Sequence, residues 1–410
     1  MVHEASRQTT CPVCGSRNVV DCVRIAGVPV YCNVLLASRD EALAAPTGDV
    51  DLVYCRDCSH LFNAAFDPAR VEYSSDYENS LHHSPRFQAY ARALAERLVA
   101  DYDLRGKRIV EIACGQGDFL SLVCELGGNR GIGFDPSYTP GRGLAGEPAA
   151  NISFVRAYYT QADADVRADL VCCRHALEHI AQPIPFLRAI RRALGTQSAA
   201  VYFEVPDAAY NLVALGVWDL IYEHCGYFTA ASLAEAFRRG GFRVTRLASE
   251  FGGQYLGIDA VPAAEMDEPK GPVAQHMEPS AELAPAPADL GALVARFGEA
   301  YNAKVERWRR ILGDLTSRGQ RAVLWGAGSK GVSFLNTVRA GAEIACLVDL
   351  NPHKHGRFVP GTGHEVRPPE SLRMQRPDAV IVMNPLYAEE ISASLRAMGI
   401  DAPLLIDGSE

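Results

Sequence analysis

Apolar and polar positions change period along the chain. Over roughly the first 85 residues the apolar runs are short and strand-like, broken by Gly, Pro and polar turns. From Pro85 the period lengthens, with Phe87, Tyr90, Ala91, Leu94 and Leu98 at helical spacing. From Arg108 onward the pattern alternates. Residues 108–113 predict a buried strand, followed by a glycine turn and a helix over 118–126. Residues 131–135, 169–173 and 199–205 predict further strands, and 183–194 a helix. Such alternation predicts an α/β fold with a doubly wound, mostly parallel sheet. After it, 263–289 is rich in Pro, Ala and Glu without a sustained apolar period, and reads as a linker. A long amphipathic helix over 290–317 then leads into a second strand–turn–helix series, with strands at 321–325, 343–349 and 378–383. The expected domains are therefore 1–84, 85–262 and 290–410, with the linker between the last two.

A chain of 410 residues with 48% hydrophobic and 22% charged positions can bury two or three cores. Its formal charge of -9, with no Lys/Arg-rich run, argues against nucleic acid as a partner. No apolar stretch approaches the ~20 residues that span a bilayer. Residues 1–7 lack the apolar core of a secretory signal, so no membrane partner and a cytoplasmic location are expected. Nothing in the sequence fixes the oligomeric state.

Four of the twelve cysteines form two tight pairs, Cys11-Pro12-Val13-Cys14 and Cys55-Arg56-Asp57-Cys58. Two thiolates separated by two residues grip one metal from a turn, and two such turns complete a tetrahedral site suited to zinc. With four sulfur ligands no position is left open for catalysis, so a structural zinc on Cys11, Cys14, Cys55 and Cys58 is expected. Cys22, Cys32 and the nearby His60 are spare.

Glu111-Ile112-Ala113-Cys114-Gly115-Gln116-Gly117-Asp118 follows a strand and opens a helix, and glycines there let the backbone approach a ligand closely. The turn lacks the Lys and Ser/Thr of a Walker loop and the third glycine of a nicotinamide site. Asp135, about 20 residues on, ends the next strand, where a carboxylate can accept hydrogen bonds from a ribose diol. A later strand runs into Arg174-His175-Ala176-Leu177-Glu178-His179-Ile180. The three elements, in this order, resemble the class I S-adenosylmethionine methyltransferases. The resemblance implies S-adenosylmethionine as cofactor, with Glu111, Gly115, Gly117, Asp118, Asp135 and His175 as candidate binding residues.

Methyl transfer needs an acceptor placed in line and, usually, a proton removed from it. His179 follows a strand end, and Tyr222-Glu223-His224 sets three ionisable groups in a row. Either imidazole suits a base near neutral pH. The order of features is similar to that of the sugar C-methyltransferases, which act on nucleotide-linked deoxysugars. Their signature resembles Tyr222-Glu223-His224-Cys225-Gly226-Tyr227-Phe228, their histidine after the fourth strand is matched by His179, and a tyrosine ahead of the central domain by Tyr77. The resemblance implies a zinc-binding N-terminal domain, a central methyltransferase domain and a Rossmann-like C-terminal domain. It further implies His224 as a base removing a proton alpha to a keto group, with Tyr222, Glu223, His179 and Tyr77 orienting or polarising. The chain departs from the family in Ala113-Cys114-Gly115-Gln116-Gly117, often Gly-Cys-Asn-Asp-Gly there, and in Asp135, often Glu. Those departures leave room for an O- or N-methyltransferase of another small metabolite, or a zinc-dependent binding protein without catalysis.

Trp325-Gly326-Ala327-Gly328-Ser329-Lys330-Gly331 is a Gly-x-Gly-x-x-Gly turn, with Asp349 ending the next strand. A dinucleotide site, a seat for substrate phosphates beside Lys330, and a scaffold without ligand all fit this pattern. Asn351-Pro352-His353-Lys354-His355-Gly356-Arg357 is basic and loop-like, suited to phosphates or to an ordinary solvated turn.

Overall fold

The computed structural model describes residues 7–144, 149–160, 167–264 and 290–408, so the expected linker lies outside the described residues except for its first two. Antiparallel pairing joins Val19–Pro29, Thr47–Cys55, Leu61–Asn63 and Gly226–Tyr227 into a first sheet, in that order. Its fourth strand comes from far along the chain: Tyr227 pairs with Leu61 and Gly226 with Phe62.

The second sheet has seven strands, ordered Phe242–Glu250, Tyr255–Pro262, Ala200–Pro206, Leu170–Arg174, Arg108–Ile112, Arg130–Phe134, Ile152–Val155. The last five run parallel, and Tyr255–Pro262 is antiparallel to both its neighbours. Leu170–Arg174 is buried throughout, as a central strand covered on both faces must be. The chain reverses its direction of winding at Arg108–Ile112, which puts a crevice at that strand's carboxyl end. The helix Pro85–Asp101 starts where Ser84 accepts the Phe87 N–H at 3.3 Å and proline occupies the first turn. It lays Phe87, Ala91, Leu94 and Leu98 on the sheet.

Five parallel strands make the third sheet: Val366–Arg367, Ile344–Val348, Ala322–Trp325, Ala379–Val382 and Leu404–Ile406. The predicted helix is present as Leu290–Ser317, burying Val294, Phe297, Tyr301, Val305, Trp308 and Leu312 at spacings of three or four. That stripe fuses two regions. It shares one apolar core with Ile25, Val50 and Leu52 of the first sheet and Ala322, Leu324 and Phe334 of the third unit. No helix among the described residues is long and apolar enough to cross a membrane.

Candidate active site

One cavity of about 330 Å³ opens at the carboxyl ends of the second sheet, and the third sheet's first turn closes its far wall. Two residues that end adjacent parallel strands, Ala113 (φ +55°) and His175 (φ +53°), adopt left-handed backbone at its edge. Such conformations cost a non-glycine residue free energy and cluster at functional sites.

Of the residues expected to bind cofactor, Glu111, Gly115, Asp118 and His175 line this space. Glu111 is buried, its Oε2 without a hydrogen-bond partner among the described residues, and burial pushes its carboxyl up to about 8. Asp118 accepts the Leu144 N–H at 2.7 Å, and burial raises its carboxyl too. Gly117 and Asp135 stand back from the cavity. Gly117 (φ +82°) faces Phe154, whose ring would meet an added Cβ at 2.3 Å, so its part is packing. Asp135 does not face the space as expected of a ribose acceptor. Its Oδ2 accepts the Gly115 N–H at 2.8 Å, and Oδ1 accepts the Ser137 N–H at 2.7 Å and hydroxyl at 2.6 Å. One oxygen therefore holds the glycine turn and the other the loop that follows Asp135 itself. Behind it, burial alone would raise the Glu204 carboxyl, but Arg174, donating at 2.8 and 3.1 Å, and His175 hold it well below the usual range.

In the same lining the rings of His179 and His224 meet edge to face, 4.8 Å between centroids. Burial pushes the His179 imidazole down to about 4, and burial together with His179 holds His224 well below its ordinary value. Both shifts favour the neutral imidazole. Tyr77 lines the cavity, its hydroxyl accepting from Asn33 at 3.2 Å. Glu223 turns away, accepting the Cys32 N–H at 2.7 Å, and burial lifts its carboxyl to about 7. Tyr222 is a correction to the expected set. It leaves the cavity altogether, packs its ring over Gly48 and against Phe66, and accepts the Asp67 N–H at 3.0 Å. An added Cβ at Gly48 would lie 2.4 Å from that ring, so the two positions are matched in size. Two participants were not singled out from the sequence. Tyr73 places its hydroxyl 2.7 Å from His179 Nδ1, and Glu178 lines the cavity beside both imidazoles.

The second glycine turn faces the same space through Gly326, Gly328, Lys330 and Gly331. Gly331 permits close helix–strand contact, since a Cβ there would lie 2.3 Å from the Gly326 carbonyl. Lys330 pairs with Asp219 at 3.0 Å and donates to Gln254 at 3.2 Å. The basic segment is divided: His353 and Arg357 are exposed, whereas Lys354 is buried, donating to the Ala327 carbonyl at 3.1 Å, and His355 Nε2 lies 2.8 Å from the Asp349 carbonyl.

Away from the cavity, Cys11, Cys14, Cys55 and Cys58 bring their sulfurs within 4.8 Å of one another. The nearest pairs, Cys14–Cys55 at 3.5 Å and Cys11–Cys58 at 3.6 Å, are far too long for disulfides. They suit the edge of a tetrahedron with metal–sulfur bonds of ~2.3 Å, which is about 3.8 Å. The donor set therefore fits zinc. His60 is outside this group, its ring tilted against that of Phe228 with 4.7 Å between centroids.

Residues 82–247 match the family model of a methyltransferase domain, and residues 277–402 that of a C-methyltransferase C-terminal domain. The chain is an S-adenosylmethionine-dependent methyltransferase. Its seven-stranded sheet is the class I fold of those enzymes. No curated protein matches the methyltransferase. Among solved structures it is similar to the pyocyanin biosynthetic protein PhzM, at 20% identity over 43% of this chain and 55% of that one, TM-score 0.34. A magnesium protoporphyrin IX methyltransferase from Synechocystis with bound S-adenosylhomocysteine is 18% identical over 43% and 84%, TM-score 0.32. CalO1, a methyltransferase in calicheamicin biosynthesis, is 18% identical over 42% and 54%, TM-score 0.32. The methyltransferase thus spans about half the length of PhzM and of CalO1.

A bound cofactor fits the turn, because Glu111 offers a buried carboxyl oxygen that meets no hydrogen-bond partner among the described residues. In the methyltransferase, Asp135→Ala is expected to weaken S-adenosylmethionine binding by ~1.5–3 kcal/mol, the scale of hydrogen bonds to a charged acceptor. The loss arises from a loosened Gly115 turn. Isothermal calorimetry checks it, and unchanged affinity would show that the turn holds without Asp135.

Proposed function

We propose that the protein is a C-methyltransferase acting on a keto-deoxysugar carried on a nucleotide. The observation that carries this reading is a single cavity walled on one side by the Glu111–Asp118 turn, on another by the neutral His179–His224 pair, and on the third by the Gly326–Gly331 turn. S-adenosylmethionine supplies an electrophilic methyl group on sulfur. Glu111 and Asp118 would hold its positive charge beside the turn. Across the cavity, His224 takes the proton alpha to the keto group. The electrons of that carbon–hydrogen bond delocalise to the keto oxygen, and the carbon then forms its bond to the methyl group as the sulfur–methyl bond breaks. His179 stabilises and orients the base, and Tyr77, with Glu223 behind it, faces the keto oxygen. Backbone N–H groups of the Gly326–Gly331 turn and Lys330 suit the diphosphate of a nucleotide. Zinc on the four cysteines holds the first sheet, and the cytoplasm, where thiols stay reduced, suits that role.

A screen of keto-sugar nucleotides with methyl-labelled cofactor tests the reading, the product being examined by carbon NMR. The label is expected on carbon, alpha to the ketone. A label on oxygen or nitrogen would replace carbon methylation with the other chemistry the fold supports.

A further inference from the structure

Two imidazoles and a carboxylate meet on the acceptor wall with nothing cationic between them. Glu178, His179 and His224 each present a ligand atom within 4.8 Å of the other two. Glu178 is only 2% exposed, and its Oε2 finds no hydrogen-bond partner among the described residues. A buried carboxyl oxygen left so is costly unless something meets it. The two rings stand at 82° to each other, and all three residues border the cavity, which leaves one side of the cluster open to a small ligand. Two histidines and one glutamate around an open position make a familiar donor set for zinc and its neighbours. A further detail matches metal chemistry. His179 Nδ1 lies 2.7 Å from the Tyr73 hydroxyl, and an outer partner of that kind fixes which ring nitrogen a ligating histidine presents.

We propose that Glu178, His179 and His224 form a second site for a divalent transition-metal ion, distinct from the four-cysteine group, and that its occupation switches methyl transfer off. The site itself stands on geometry alone. The switch rests on the reading of His224 as base, because a nitrogen that holds a metal cannot take up a proton. Metal and acceptor therefore exclude one another from the same wall. Closing the three donors onto one ion takes small side-chain rotations, which the open cavity allows.

Cobalt(II) is the probe, titrated into protein that keeps its four-cysteine zinc. The expected result is one additional cobalt per chain, with the visible bands of a nitrogen–oxygen site, no thiolate charge transfer and the zinc content unchanged. Glu178→Gln and His224→Gln abolish those bands. Tyr73→Phe, which keeps all three donors, weakens cobalt binding ~10–100-fold, the usual cost of losing an outer-shell partner. Methyl transfer falls in proportion to cobalt bound and returns with chelator. Absence of extra cobalt at millimolar metal overturns the site, as does cobalt that enters only by displacing zinc with thiolate bands. Cobalt that binds as described yet leaves methyl transfer untouched overturns the switch, and with it the assignment of His224 as base, while the metal site stands.

Discussion

His224→Gln is expected to lower turnover by ~10²–10⁴-fold, the range for losing a general base, with cofactor affinity almost unchanged. Glutamine keeps similar bulk and a hydrogen-bonding end but has no basic nitrogen. His224 borders the same cavity as the Glu111–Asp118 turn and makes no hydrogen bond to it among the described residues, so the cofactor's own contacts are expected to survive the replacement. Turnover assays and calorimetry with S-adenosylhomocysteine measure the two quantities. A third readout separates proton removal from methyl transfer. With S-adenosylhomocysteine bound, the acceptor's alpha proton should exchange with deuterated solvent in the wild type and not in the variant. If His179→Asn abolishes that exchange and His224→Gln spares it, the two histidines trade roles. Exchange unaffected by either change would end the carbon-methylation reading.

The other large effect concerns the metal. Cys55→Ser is expected to remove the bound zinc, about one per chain in the wild type, and to reduce the folded yield severely. Structural zinc contributes on the order of 10–16 kcal/mol of apparent binding free energy in small domains. Cys55 ends Thr47–Cys55, a central strand of the first sheet, so a ligand lost there loosens the sheet from its middle. The damage should reach His224, the proposed base. His224 lies two residues before Gly226–Tyr227, the strand that completes this sheet, so the surviving folded fraction should also turn over more slowly. Metal analysis, thermal unfolding and turnover per folded chain follow the three effects. A fully active wild-type enzyme devoid of zinc would defeat the prediction.

Much of this architecture is legible in the sequence because local chemistry announces it. Apolar strand, glycine turn and helix recur at Arg108 and Ala322, and the structure shows the same fastening at both. Asp135 grips the Gly115 and Ser137 N–H groups, and Asp349 grips those of Ala327 and Asn351, at 2.7–2.8 Å. The spacing of Phe297, Tyr301, Val305 and Trp308 likewise carries its own period. The acceptor wall is less legible. Tyr222, Glu223 and His224 are adjacent in sequence, but the irregular backbone after Val217–Asp219 sends their side chains to different places. Only His224 borders the cavity. Gly48, the partner that seats Tyr222, lies in Thr47–Cys55, far earlier in the chain, and carries no mark of its purpose. Tyr73 reaches His179 from 106 positions earlier in the chain, a matter of tertiary packing that spacing does not encode. A strand of two residues such as Gly226–Tyr227 leaves no periodic trace at all.

That short strand also sets a schedule for the nascent chain. Leu61–Asn63 leaves the ribosome about 160 residues before the segment that will cover its outer edge. At ~5–20 residues per second the wait is on the order of 10–30 s, during which an apolar sheet edge stands open to other chains. The four cysteines, however, are all synthesised by Cys58. Metal capture can clamp the early sheet before its partner exists, which makes the availability of zinc during translation, and not only in the finished enzyme, a determinant of how much protein reaches its native state.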